Sequence, residues 1–234
     1  MTLLGNQSVV QTSGDCAVCS KLVVVSIVCL LFACGSVSHA IAASADEAAY
    51  AEGLQAVRAG DNGRAITLFS RAIQLNPDDF RYYNDRGIAY KASGDLEKAL
   101  QDYSKALTMK PGYPNALNNR GLLFVQKGEF DKAEEDFRSA LQSGGFEAKI
   151  HTNLGMALAG KGDHEAAVKE FQSAMNFRPM DPRAFFFMAQ SLEKLRKSDQ
   201  ALKMYQVALG MVKDPAAEVQ IEKRIAELEK QFPQ

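Results

Sequence analysis

From residue 46 onward, apolar and small residues fall at helical spacing, in a pattern that returns every 34 positions. Within 80–113, Tyr83, Gly87 and Tyr90 share one face of a first helix, and Leu96, Ala99, Leu100, Tyr103 and Leu107 line a second. Gly94 between them suits a left-handed cap, and Asp95 can cap the second helix and complement its dipole. Asn76-Pro77, Lys110-Pro111 and Arg178-Pro179 end the second helices, because a residue before proline is pushed out of the helical region. Four series keep this phase. They are Gly53, Gly87, Gly121, Gly155, Ala189; Ala65, Ala99, Ala133, Ala167, Ala201; Phe69, Tyr103, Phe137, Phe171, Tyr205; and Ala72, Ala106, Ala140, Ala174, Ala208. A constant period predicts a solenoid, in which each unit buries its apolar face only by stacking on its neighbours. Five units are expected, at 46–79, 80–113, 114–147, 148–181 and 182–215. Asp214-Pro215 then opens one more helix over 216–234. Its stripe of Ile221, Ile225, Leu228 and Phe232 reads as a cap on the stack. A partner-binding segment is the alternative, though the stripe is too short to sustain a coiled coil.

The residues of the second unit, namely Tyr83, Gly87, Tyr90, Gly94, Ala99, Tyr103, Ala106 and Pro111, resemble the tetratricopeptide repeat (TPR) family. The other units depart from it in places. The first has Ala49 and Ala56 for aromatics, the third ends in Gly144-Gly145, and the fifth has Ala189, Arg196 and a late Pro215. The resemblance implies an all-α fold, a right-handed α-solenoid whose first helices line a concave groove. Carried residue by residue, it places Arg81, Asn84, Asp85 and Ile88 on that face, followed by Asn115, Asn118, Asn119 and Leu122. Lys149, Thr152, Asn153 and Met156 come next, then Arg183, Phe186, Phe187 and Gln190. An amide both donates and accepts, so the asparagines can grip an extended backbone or instead stand as a solvated wall. Some relatives clamp a C-terminal carboxylate, but here only Asn119 with Lys149, or Asn153 with Arg183, matches part of that set. Phe185 aligns with the packing between helices; Phe186 and Phe187 face the groove or the capping helix.

The remainder of the chain speaks to location. Leu22–Cys34 is an apolar run, uncharged residues continue to Ala45, and Lys21 precedes it. Ser38-His39-Ala40 and Ala40-Ile41-Ala42 both suit a signal peptidase. Met1–Ser20 holds no Lys or Arg, so a retained membrane anchor is the alternative to cleavage near 40–42. In either case the repeats are expected outside the cytoplasm, in the periplasm or on the extracytoplasmic face of the membrane. Cys16, Cys19, Cys29 and Cys34 all precede the repeats and read as incidental thiols. Leu31-Phe32-Ala33-Cys34-Gly35 also resembles a lipoprotein box, which makes Cys34 a candidate for acylation.

Charge narrows the partners. With 27 basic and 28 acidic residues, a net charge of −1 and no block of like charge, the chain has no footprint for nucleic acid. Glu134-Glu135-Asp136 beside Lys132 and Arg138 reads as an ordinary solvated helix face. His39 lies in the export segment, His151 is expected to pack between helices, and His164 is expected in an exposed turn. The glycines recur singly, not in a phosphate-cradling run. No catalytic, cofactor or metal site is expected. These features lead to an exported, non-enzymatic scaffold that binds extended or helical segments of other proteins. Two alternatives stay open: a lipoprotein accessory to envelope assembly or secretion, and a module forming a homodimer through its terminal helices.

Overall fold

The computed structural model describes residues 45–231, all of whose regular elements are helices. They are α1 (45–58), α2 (Asn62–Leu75), α3 (Phe80–Ala92), α4 (Leu96–Met109), α5 (Pro114–Lys127) and α6 (Phe130–Gln142). There follow α7 (Glu147–Lys161), α8 (His164–Phe177), α9 (Pro182–Lys194), α10 (Ser198–Leu209) and α11 (Pro215–Gln231). The segment in which export and Cys34 acylation are expected lies outside the described residues, as does Phe232. No described helix is long and apolar enough to cross a membrane.

Successive helices from α2 to α11 pack against each other, which makes the fold a solenoid. Odd-numbered helices also touch the next odd one, at α3–α5, α5–α7 and α7–α9, whereas the even helices make no comparable contact. The odd helices therefore converge and the even ones splay. This places the odd helices on the inside of the curve.

The core between the layers follows from the 34-residue series. Phe69, Tyr103, Phe137, Phe171 and Tyr205 are fully buried, as are the alanines at 65, 99, 133, 167 and 201. Each aromatic of the first four units packs against the glycine of its unit. A Cβ built on Gly87 would sit 2.7 Å from the Tyr103 ring, and one on Gly121 would sit 2.7 Å from Phe137. Glycine is required there because the ring occupies the space a side chain would need. Burial of each ring contributes about 1.5–3 kcal/mol.

Turns inside the units are local in origin. Gly94 closes α3 at φ +88°, and the Asp95 carboxylate accepts from the Lys98 amide to start α4. The fifth unit holds Arg196 at φ +57° in the same place, a conformation that costs a side-chain-bearing residue roughly 1–2 kcal/mol.

A second joint was not anticipated from the sequence. Arg86 on α3 donates two hydrogen bonds of 2.8 Å to Asp102 on α4, and a third of 3.1 Å to Ser70 on α2. Arg120 on α5 repeats this with Asp136 on α6, at 2.8 and 2.7 Å, and with Ser104 on α4 at 3.4 Å. Each guanidinium thus ties three successive helices. Both aspartates are buried, Asp136 against the expectation of a solvated face, and their charge is tolerated only because the planar fork meets it.

At the far end, Ile221 and Leu228 of α11 are buried in the main core and cover the last unit. Arg224 bonds Glu193 on α9, and its other nitrogen reaches Glu227 at 2.6 Å.

Candidate protein-binding groove

Repeat packing brings the inner faces of α1, α3, α5, α7 and α9 into one continuous surface, and its two ends differ. Toward the amino end its polar groups bind one another. The Tyr50 hydroxyl donates to Asp85 at 2.6 Å, and Asn84 donates to the same carboxylate at 2.7 Å. Asn119 donates to the Asn84 carbonyl oxygen at 3.2 Å, and Asn153 to that of Asn118 at 2.7 Å. Three of these bonds span 35 residues, joining one inner helix to the next. Asn84, Asn118 and Asn153 are only 2%, 5% and 4% exposed, so they form an internal amide ladder between repeats. Burial raises the Asp85 carboxyl pKa, against the opposing pull of its hydrogen bonds to Tyr50 and Asn84. Arg81 lies over the Tyr50 and Tyr82 rings at 5.3 and 5.6 Å and is paired with Asp79 and Glu47.

The remaining residues expected on this face are scattered. Asn115 is exposed and reaches only the Tyr113 hydroxyl, at 3.3 Å. Lys149 is exposed, and Arg183 is held by Asp181 at 2.8 Å. Thr152 is buried and donates back to the Ala148 carbonyl, so it presents nothing to a partner. Phe186 packs edge-on against Phe187 and Tyr205, at centroid distances of 5.4 and 5.8 Å.

Toward the carboxyl end the surface opens into a cleft of ≈ 710 Å³ between α5, α7, α8, α9 and α11. That volume lies within the roughly 300–1,000 Å³ typical of ligand-binding cavities. Its wall is apolar, from Val125, Met156, Phe171 and Phe187, and Gln190, Lys194 and Arg224 stand at its edges. Phe187 stacks on Phe171 at 6.3 Å. Phe186 and Phe187 both border a smaller, apolar cleft of ≈ 150 Å³ against α11, together with Val212 and Ile221. Phe187 thus lies against both the inner face and the capping helix, and Phe186 against the capping helix.

Two residues that line the large cleft each hold a buried polar atom with no hydrogen-bond partner, Ser191 Oγ and His164 Nδ1. His164 is the first residue of α8 and is half-buried there, not exposed in a turn. The displacement follows from α8 starting directly after Asp163, which caps it through the Ala166 amide at 3.0 Å. His151 packs between helices, with Nδ1 2.7 Å from Glu170 and its ring stacked on Phe177 at 5.7 Å. Sequence reasoning did not find Ser191, Lys194, Glu193 or Arg224, since their meeting depends on how α11 folds back over α9. Among the described residues no group of three acidic, histidine or cysteine side chains is placed to hold a metal ion.

This architecture defines a helical-repeat protein with an open inner surface. Two stretches, 50–114 and 118–182, match the profile described as tetratricopeptide repeat, and together they make up more than half of the chain. The chain belongs to that family. No protein of curated function matches its sequence. Among solved structures it is similar to pilF of Pseudomonas aeruginosa, at 18% identity and a TM-score of 0.70, covering 82% of this chain and 94% of that one. A structure of MamA aligns at 18% identity and a TM-score of 0.61 over 75% of this chain and 96% of the other. Yeast Tom70 aligns at 15% identity and a TM-score of 0.66, over 81% of this chain but 41% of its own. At these identities the likeness is one of fold.

Proposed function

We propose that the protein is an exported, non-enzymatic adaptor that binds segments of other proteins along the inner face of its solenoid. The observation that carries this reading is the open cleft at the end of a continuous surface of odd-numbered helices. A surface of this kind suits an extended or helical segment laid across several repeats. Export rests on the apolar run Leu22–Cys34 and the small residues that follow it. Anchoring through acylated Cys34 is the variant of this reading that leaves the repeats in the same compartment.

Site-specific photo-crosslinking tests it. A benzophenone amino acid at Ile88 or Met156, on the inner face, should yield adducts with a partner in cells. The same group at Arg138, exposed on α6, should yield none. Adducts from the outer position alone would contradict groove binding. Recovery of the protein from the cytoplasmic fraction alone would contradict export.

A further inference from the structure

The edge on which the chain enters the solenoid is unlike its other surfaces. Short turns fold each pair of helices antiparallel, so odd-numbered helices start and even-numbered helices end along this one edge. The first turn of α1 is fastened there. Asp46 accepts from Asn76 at 2.9 Å and from the Tyr82 hydroxyl at 3.0 Å, and Glu47 accepts from Arg81. Seven large apolar side chains are exposed among the described residues, and four of them, Leu75, Phe146, Phe177 and Met180, lie at the ends of even-numbered helices or in the turns that follow. Phe146 and Met180, 78% and 71% exposed, exceed the other five, and Phe177 is 54% exposed.

These side chains continue a row. A shallow hollow joins Phe146 to Tyr113, whose ring meets Phe80 edge-on at 4.8 Å. Phe177 stacks on His151 near the start of α7. Local stability does not account for the row. Asp79 and Asp181 cap α3 and α9 through the Arg81 and Arg183 amides, whereas Phe146 holds the same place before α7 and makes no capping bond. A polar cap has been given up there for a ring in water.

Two observations select lipid as what covers this edge. Residues 35–44 alone separate Cys34 and the apolar run from α1, and at full extension they span at most about 36 Å. A chain held in the bilayer by that run, or by acylated Cys34, brings this edge to the lipid first. The second observation is area. At roughly 200 Å² for a whole aromatic side chain, Phe146, Phe177 and Met180 expose on the order of 400 Å², about half of what each partner buries in a standard protein interface. Seating in a bilayer needs no complementary surface of that size, since binding there grows with the apolar area inserted. Lys110 and Arg178 are exposed in the same turns, with stems that can lie along apolar surface while their heads reach lipid phosphates. Glu147, exposed beside Phe146, opposes them.

We propose that this edge is a membrane-docking surface. Phe146, Phe177 and Met180 insert at the boundary between headgroups and acyl chains, and the inner face of the solenoid stays clear of the lipid. The inference rests on the reading in which the chain keeps its tether, and adds to it the orientation of the repeats.

The chain contains no tryptophan, so a single introduced indole reports its own surroundings. Full chain carrying Phe146→Trp, or Arg138→Trp on exposed α6 surface, is reconstituted in vesicles of phosphatidylcholine and phosphatidylglycerol, with and without brominated acyl chains. Emission from the Phe146→Trp chain should be blue-shifted and quenched by the brominated lipid; that from the Arg138→Trp chain should be neither. Adding Phe177→Ser/Met180→Ser to the Phe146→Trp chain should lower the quenching several-fold. Circular dichroism should not change, because all three side chains are exposed. Vesicle-bound Phe146→Trp chain that is not quenched would overturn the docking edge and leave the tether standing. Blue-shifted emission that bromination does not touch would assign the edge to protein, this chain or a second copy, with the same consequence. Chain that stays out of the vesicles would overturn both.

Discussion

The two ends of the inner face are made from the same repeat positions and do opposite things. Toward the amino end, Tyr50, Asn84, Asp85, Asn118, Asn119 and Asn153 donate to and accept from one another, and the helices they join are fixed in register. Toward the carboxyl end the equivalent places hold Phe186 and Phe187, which cannot extend the ladder. The helices part into a cleft, and Ser191 and His164 are left without partners. A polar side chain on a concave wall is therefore not by itself a recognition element. What matters is whether its hydrogen-bonding capacity has already been met from within. In this protein the ladder ties the inner helices together from α1 to α7, and the cleft opens from α5 toward α11.

The contrast can be broken most severely at the arginine staple. Arg120→Ala would leave Asp136 buried without its counter-charge and should cost about 3–5 kcal/mol in chemical denaturation. Next comes Gly121→Leu, which would push the Phe137 ring aside and should cost about 1–3 kcal/mol or more. Asn118→Leu strands the Asn153 amide, with an expected loss of about 1–3 kcal/mol and no change in partner affinity once the protein is folded. If that variant instead keeps full stability and loses its partner, the division between the two halves fails. The smallest effect is a gain. Arg196→Gly relieves the left-handed turn and should raise stability by about 1 kcal/mol, visible as a higher melting temperature.

Much of this was legible in the sequence, because the signals are local or periodic. Gly94-Asp95 announces a helix end and a helix start within two residues, and the 34-residue series fixes which ring meets which glycine. The Arg86–Asp102 and Arg120–Asp136 pairs are periodic too, but charged residues on a helix ordinarily face water. Only their burial marks them as joints. For the asparagines, their place on the first helices was legible, but neither their burial nor the bonds between them was, since the ladder pairs side chains 35 residues apart. The cleft was the least legible part. Ser191 and Arg224 meet around it only through the angle at which α11 returns over α9, and no spacing encodes that angle.

The most direct test of the division is methyl NMR of the full chain titrated with the partner segment that crosslinks to the inner face. Signals of Val125 and Met156 should move with its concentration, while those of Leu54 and Val57, beside the amino-terminal ladder, should stay in place. Movement confined to Leu54 and Val57, with Val125 and Met156 unchanged, would contradict the account.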